Sequence, residues 1–254
     1  MQRERKEGVV VQSVAKALAV LNCFSGHEEA LTVSDISERM GLSPSTAFGL
    51  INTLRNEGFL EQDRVGKQYR LGMRMLQLGV LTQQRLPLFR IGEPFCQELL
   101  KKRAYTLHLA TVVGGEVIYV HKMNNPNSPI MYSHVGKIAS KHCTGIGKAV
   151  LAFLKEEEIE QYLHAPLERF PPNTITDPNE LRKELQRIRE RRFAVDDEEV
   201  EIGCCCVAAP IFHGGDQVIG AVSISTTRQI WQNENLSELA SDVIFCAGQI
   251  SKRM

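Results

Sequence analysis

Residues 31–60, LTVSDISERMGLSPSTAFGLINTLRNEGFL, restrict the possible folds of this chain more than any other stretch. Val33, Ile36 and Met40 recur at helical spacing, and Gly41-Leu42-Ser43-Pro44 stops that helix. A second helical pattern follows, with Ala47, Leu50, Ile51 and Leu54 on one side and Gly58 just past its end. Two short helices joined by a tight Gly-containing turn have the form of a helix-turn-helix. The outward side of the second helix carries Ser45, Thr46, Phe48, Asn52 and Arg55, with Ser43 at its start. Small hydroxyls, an amide and a guanidinium are groups that reach phosphates and base edges in a major groove. A plain three-helix bundle has little reason to keep Glu and Lys so scarce there. The pattern predicts DNA binding.

The flanks extend this reading. Val14, Leu18 and Leu21 make a first amphipathic helix behind Gln12 and Ser13, with Ser13 the expected N-cap. Residues 59–63 and 67–71 alternate around Arg64-Val65-Gly66 and predict a hairpin. Three helices and a two-stranded wing give a winged helix-turn-helix over residues 1–71. Its expected DNA-facing set is completed by Arg3 and Arg5 in an N-terminal arm, Gln12, Ser13 and Lys16 on the first helix, and Arg64, Lys67 and Arg70 about the wing. Net charge offers no support, being zero for the whole chain. Residues 1–80 hold ten Lys and Arg against nine Asp and Glu, so placement rather than sum would create a basic surface.

Gly72 to Gln84, within an expected linker of residues 72–87, is a helix too apolar to stand alone and is expected to pair with a partner. From residue 88 to 254 helices and strands alternate in the α+β manner. The expected helices are Glu93–Arg103, Gly145–Leu154, Glu156–Leu163, Asn179–Arg192 and Leu236–Ile250. The expected strands are His108–Val113, Val117–His121, Met131–Val135, Cys205–Phe212 and Val218–Ser225. No apolar run approaches the roughly 20 residues that span a bilayer, and MQRERKEG is charged with no apolar segment behind it. Cytoplasmic residence and no membrane partner are the expectation. Seven cysteines without paired CxxC spacing predict packed thiols rather than a zinc finger or a disulfide framework.

Three features in the second half could recognise a ligand. Thr144-Gly145-Ile146-Gly147 opens a helix with small residues in a first turn whose backbone N–H groups favour a carboxylate; close packing is the plainer reason for such glycines. Ser223 and Ser225 share one strand face, either toward a polar ligand or toward solvent. The run Asp196-Asp197-Glu198-Glu199 would ordinarily be solvated, yet it closely precedes Cys204-Cys205-Cys206. Two alternatives use the same residues: a zinc-dependent sensor ligated by His142, Asp196, Cys204 and Cys206, or an enzyme with Cys206 as nucleophile aided by His142 and Asp196. No Lys or Arg flanks the thiols to lower a pKa, which weighs against the enzyme. No cofactor is expected.

In QSVAKALAVLNCF, residues 31–60, YRLGMRMLQLG, VGKIASKHCTGIGKAVLAFL, FAVDDEEVEIGCCCVAAPIF and VIGAVSIST the chain resembles the IclR family of bacterial transcription regulators over nearly its whole length. The resemblance implies a winged helix-turn-helix, a linker helix and a GAF-like antiparallel sheet domain flanked by helices. It further implies a non-enzymatic regulator, generally a repressor of a catabolic operon, that acts on double-stranded operator DNA as a homodimer or dimer of dimers. The effector contacts it implies are Met131, Gly145, Ile146, Asp196, Cys204, Cys206, Ser223 and Ser225, for a small carboxylate. SHVGK and PPNTITDP resemble the sugar-acid branch, which favours an aldonate or a 2-keto-3-deoxy sugar acid. Two residues depart from the family pattern: Lys16 and Gly49 stand where it commonly carries Arg.

Overall fold

The computed structural model describes residues 9–24, 28, 30–63, 65, 67–103, 105–124, 133–170 and 173–254. The chain divides into two compact units, Met1–Thr82 and Gln83–Met254.

The first unit contains α1 (Gln12–Leu21), α2 (Val33–Met40), α3 (Pro44–Asn56), β1 (Leu60–Gln62), β2 (Tyr69–Leu71) and most of α4 (Met73–Arg85). Side chains mark where its helices begin. Thr32 Oγ1 accepts the Asp35 N–H at 3.2 Å while the Asp35 carboxylate accepts the Thr32 N–H at 2.7 Å, a reciprocal cap of the kind worth about 1 kcal/mol. Gly41 ends α2 in the left-handed region at φ 61°, where a side chain would be strained. Ser43 then caps α3 and Pro44 occupies its first turn. The tight turn between α2 and α3 therefore follows from three consecutive local preferences. Val20, Ile36, Ala47, Ile51, Leu54, Leu60 and Tyr69 form the core beneath. β1 and β2 pair antiparallel, with Glu61 opposite Arg70.

α1 differs from expectation. Ser13 is not its N-cap, because the helix begins at Gln12 behind Val11 and no side chain caps it. Val14 and Leu18 are exposed, and Val20 is the residue α1 buries. α4 forms as expected and buries none of its residues, leaving Met73, Leu76, Leu78, Val80 and Leu81 exposed.

The second unit runs α5 (Pro87–Lys102), β3 (Thr106–Val113), β4 (Glu116–Met123), β5 (Ile138–Ala139), α6 (Gly145–Leu151), α7 (Glu156–His164), α8 (Pro178–Arg191), β6 (Ala194–Asp197), β7 (Cys204–His213), β8 (Gln217–Thr227), α9 (Arg228–Trp231) and α10 (Leu236–Ser251). Its six strands lie in the order β5-β4-β3-β8-β7-β6, and every neighbouring pair is antiparallel. Successive side chains of a strand alternate between faces. Leu107, Leu109, Val207, Ala209, Val222 and Ile224 meet Leu88 and Leu99 of α5 and Leu239 and Val243 of α10 on one face. On the other, Ala110, Ala208 and Ala221 meet Ile146 and Val150 of α6, with Leu181, Leu185 and Ile188 of α8 behind them. Small residues on that face let α6 lie close to the sheet.

β5, β6 and α9 were not expected from the sequence, and several boundaries differ from that reading. α5 starts at Pro87, not Glu93, because Pro87 is tolerated in a first turn and Pro94 is carried inside the helix. α6 stops at Leu151, short of Leu154. Residues 133–135 carry no strand, and the start of the expected Met131–Val135 strand lies outside the described residues. Among the described residues no helix is long and apolar enough to cross a membrane.

Candidate functional site

In the first unit, α3 exposes Ser43, Ser45, Thr46, Phe48 and Gly49, while Asn52 and Arg55 are half-buried. Ser43 Oγ accepts the Thr46 N–H at 3.3 Å and lies 3.1 Å from Ser45 Oγ and 2.9 Å from Thr46 Oγ1. The start of α3 is thus a cluster of hydroxyls in water. Arg55 donates through Nη2 to Asn52 Oδ1 at 2.7 Å and through Nη1 to Gln62 Oε1 at 3.0 Å. It ties α3 to β1 and occupies the carbonyl oxygen of Asn52, so the Asn52 amide N–H groups remain to donate. The sequence pattern had placed Asn52 and Arg55 side by side without showing this pairing. Gln12, Ser13 and Lys16 are exposed on α1, and Lys67 and Arg70 are exposed at the wing. Arg3, Arg5 and Arg64 lie outside the described residues.

In the second unit, strand register assembles a polar surface on the α6 side of the sheet. Residues paired across antiparallel strands share a face. One row crosses β3, β8, β7 and β6 as Thr106, Ser225, Cys206 and Asp196. The next row is His108, Ser223, Ala208 and Ala194. All eight residues are buried, Ser223 and Ser225 included, so the serines do not form a solvent face. Cys204, at the start of β7, is half-buried on the same face. Gly145 brings the start of α6 down onto this surface. A Cβ there would lie 2.5 Å from Cys206 Sγ and 3.8 Å from Asp196 Cβ, so close packing alone demands glycine. Thr144 caps α6 by accepting the Gly147 N–H at 2.8 Å, and Ile146 is buried. Met131 lies outside the described residues.

Burial dominates the electrostatics here. It pushes the Asp196 carboxyl up to about 7, against the pull of the Glu199 backbone N–H that Asp196 Oδ1 accepts at 2.9 Å. Glu199 is also buried and raised by desolvation, with Lys148 acting to lower it. Lys148 and Glu199 form a buried ion pair, and Glu199 Oε2 has no partner among the described residues. The acidic run is therefore not simply solvated: Asp196 and Glu199 turn inward, whereas Asp197 and Glu198 pair with Arg228. His108 is pushed down to about 3 by burial, with Lys122 adding to the shift, so its ring is neutral. His108 Nε2 lies 2.7 Å from Ser133 Oγ, and the ring lies 5.2 Å from that of Tyr119.

The alternatives lose their chemistry in this geometry. His142 Nδ1 lies 3.0 Å from Ser140 Oγ and 2.9 Å from Tyr162 Oη, and its Nε2 lies 2.8 Å from the Glu168 carbonyl. Its ring is used internally and does not join Asp196, Cys204 and Cys206. Among the described residues no group of three His, Cys, Asp or Glu could hold a metal ion. Arg228 does reach Cys205, at 3.9 Å, from a distant stretch of sequence. Burial nonetheless pushes Cys204 and Cys205 up to about 12 and raises Cys206 as well, so no thiolate is available as nucleophile.

Thr106, His108, Tyr119 and the Lys148–Glu199 pair were not evident as site residues in the sequence. Thr106, His108 and Ala110 alternate with Leu107 and Leu109 in the manner of a half-exposed strand. Only the tertiary packing of the sheet, with Ser133 against His108, makes their face an interior.

The family model described as the bacterial transcriptional regulator IclR C-terminal domain matches residues 80–252, and that of the IclR helix-turn-helix domain matches residues 13–64. The HTH-type transcriptional regulator XynR of Escherichia coli (strain K12) is 34% identical over 218 residues, covering 85% of this chain and 86% of that protein. The HTH-type transcriptional regulator KdgR of the same organism is 29% identical over 245 residues, covering 96% and 93%. The crystal structure of the Thermotoga maritima IclR matches with a TM-score of 0.75 at 31% identity, covering 96% of this chain and 99% of that one. An IclR homolog of Microbacterium hydrocarbonoxydans, crystallised with 4-hydroxybenzoate, matches with a TM-score of 0.82 at 25% identity over 94% and 98% of the two chains. These relatives are regulators rather than enzymes, and the helix-turn-helix, the antiparallel sheet and both family matches agree: this chain belongs to the IclR family of bacterial transcriptional regulators.

Proposed function

We propose that the protein is a repressor that leaves its operator when a small carboxylate binds the polar face of the second unit. The observation that carries this reading is the buried set Ser223, Ser225, Cys206 and Asp196, assembled by register under the start of α6. Four polar or polarisable groups on one buried face match what a small polar ligand needs from a site. The 4-hydroxybenzoate held by the Microbacterium hydrocarbonoxydans homolog is a carboxylate, which supports the same ligand class here. In this reading Gly145 and Ile146 offer backbone N–H groups to the carboxylate, Ser223 and Ser225 bind its other oxygens, and Asp196 donates a hydrogen bond in its protonated form. Cys204, Cys206 and Met131 fill the apolar remainder.

On the DNA side, Ser45, Thr46, Phe48 and Asn52 face the base edges, with Arg55 orienting Asn52. Ser43, Gln12, Ser13, Lys16, Lys67 and Arg70 hold phosphates, joined by Arg3, Arg5 and Arg64. One recognition helix reads only a few base pairs, so specificity requires two half-sites and hence a dimer. The exposed Met73, Leu76, Leu78 and Leu81 of α4 supply an apolar surface for it.

Footprinting on the DNA flanking the gene, with 4-hydroxybenzoate, pyruvate and gluconate as effector probes, tests the whole reading. The expected result is protection of paired half-sites, relieved by at least one acid, and no relief in Ser223→Ala/Ser225→Ala. Thr46→Ala should relax base discrimination by about 1–3 kcal/mol. Arg70→Ala should weaken binding to all sequences and reduce the salt slope by about one. Protection of a single half-site, or release of the double serine variant at wild-type acid concentrations, would overturn the corresponding half of the proposal.

A further inference from the structure

A relay of side-chain hydrogen bonds runs from the wing to the outward side of α3, with Arg55 at its centre. The end of α3 is locked onto β1 by two backbone bonds. The Gly58 N–H donates to the Arg55 carbonyl at 3.0 Å and the Phe59 N–H to the Leu54 carbonyl at 2.8 Å, with Gly58 in the left-handed region at φ 77°. That turn sets Gln62 of β1 against Arg55, and Gln62 Oε1 accepts from Arg55 Nη1 at 3.0 Å. Arg55 Nη2 donates to Asn52 Oδ1 at 2.7 Å, one turn earlier on the helix. Both ends of the guanidinium fork are thus held, by partners on two elements. Arginine carries donors only, so the Asn52 atom it meets is the carbonyl oxygen, and the amide nitrogen is the end left to meet a partner. Asn52 and Arg55 are half-buried, which limits competition from water for this bond.

The relay changes what the asparagine can read. An unconstrained asparagine pairs with adenine by accepting from N6 and donating to N7. In Asn52 the accepting half of that pair already belongs to a cation, in a bond of the stronger, charge-assisted kind. The same bond draws electron density toward the carbonyl oxygen and makes the amide N–H groups better donors. A donor of this kind fits a base edge that offers acceptors alone. In the major groove guanine presents N7 and O6, both acceptors, whereas adenine sets a donor beside N7 and thymine offers O4 next to a methyl group. Gly49, one turn before Asn52 on the exposed side of α3, has no side chain to shield the amide from a base. We propose that Gln62 and Arg55 are positioning residues that make Asn52 a donor-only reader, so that the base it meets in the operator is guanine rather than adenine. This deepens the proposed function and rests on its reading that Asn52 faces the base edges.

Selection of binding sites from a randomised duplex pool by the full-length protein, followed by competition with duplexes changed at single base pairs, tests it. The proteins compared are wild type, Asn52→Ala, Arg55→Met, Gln62→Leu and Gln62→Glu, each checked for folding by thermal melting. Asn52→Ala identifies the position concerned by losing discrimination there. The expected result is that wild type prefers guanine to adenine at that position by roughly five- to 150-fold, the worth of a good bidentate contact. Arg55→Met frees the carbonyl oxygen and should move the preference toward adenine. Gln62→Leu, one bond further from the base, should move it the same way by less, and Gln62→Glu, which keeps the acceptor, should retain guanine. If Arg55→Met lowered affinity for all sequences alike and left the base preference unchanged, Arg55 would be a structural or phosphate contact and the relay would be overturned. Selection by wild type of any base other than guanine at the Asn52 position would overturn it as well, with the reading of α3 intact. If Asn52→Ala changed discrimination at no base pair, Asn52 would not face a base, and that reading would itself fail at this residue.

Discussion

In the first unit the polar groups assigned to recognition stand in water on α3 and the wing, whereas in the second they are sealed between a sheet and a helix. An exposed hydroxyl on Ser45 or Thr46 costs the fold almost nothing, so its presence says little about stability and its role rests on where the helix points. A buried Ser223, Asp196 or Thr106 must be compensated or else weakens the fold. The buried set therefore carries an energetic argument that the exposed set lacks. Each unit should respond to mutation accordingly: the first through DNA affinity with little change in stability, the second through both.

The largest effect should come from Lys148→Met. Lys148 is 1% exposed and faces Glu199, itself nearly as buried. Removing the cation leaves a buried carboxylate unpaired, a change that typically costs about 3–5 kcal/mol. Denaturant unfolding should show that loss, and hydrogen exchange should place it in α6, α8 and the six-stranded sheet while α2 and α3 keep their protection. Equal loss of protection in α2 and α3 would mean that the two units share stability, and the contrast drawn above would not hold.

Asp196 tests the same contrast through pH. Its folded pKa of about 7 lies above the ordinary 3.8, so the folded state keeps a proton that the unfolded chain has released. Stability from this group is fully present below about pH 4, declines as pH rises toward 7, and is level above that. At about 1.4 kcal/mol per pH unit the decline reaches at most roughly 4 kcal/mol. Glu199 is raised too and adds in the same direction. Asp196→Asn keeps the oxygen that accepts the Glu199 N–H and cannot ionise, so it should flatten the slope and be the more stable form at pH 8. Effector binding should follow the same line: a carboxylate ligand beside Asp196 should bind more weakly to wild type as pH passes 7, and not in the variant. An unchanged slope in Asp196→Asn would place the titration on Glu199 instead.

The sequence made the first unit legible because its signals are local. Gly41, Ser43 and Pro44 mark a helix end within a few residues, and Ile36, Ala47 and Ile51 show the period of the buried side, while the Thr32 cap went unread. The misreadings there were local as well: Ser13 had the chemistry of a cap but lay one position inside α1, and Val14 and Leu18 had helical spacing without facing the core. In the second unit β3, β4, β7 and β8 and the shared face of Ser223 and Ser225 could be read, but not β5, β6 or what lay opposite the serines. The row from Thr106 to Asp196 joins four strands spread over 120 residues of chain, and no periodicity encodes that register. The same holds for Lys148 and Glu199, which look like surface residues until α6 is laid on the sheet.

The smallest effect belongs to Gly49, where the exposed unit breaks a local rule. Glycine inside a helix is worse than alanine by roughly 0.5–1 kcal/mol because it loses more backbone freedom on folding. Gly49 lies mid-way along α3 on its exposed side, and a Cβ built there meets nothing within 4 Å. Packing therefore gives no reason for it, unlike Gly145, where a Cβ would strike Cys206. Gly49→Ala should raise the stability of the first unit by about 0.5–1 kcal/mol, read from denaturant unfolding. If α3 meets DNA only through its side chains, operator affinity should stay within about twofold of wild type. A fall of tenfold or more in a stabilised variant would show that DNA approaches the α3 backbone itself at Gly49, and the recognition surface would then include a bare stretch of helix as well as Thr46 and Asn52.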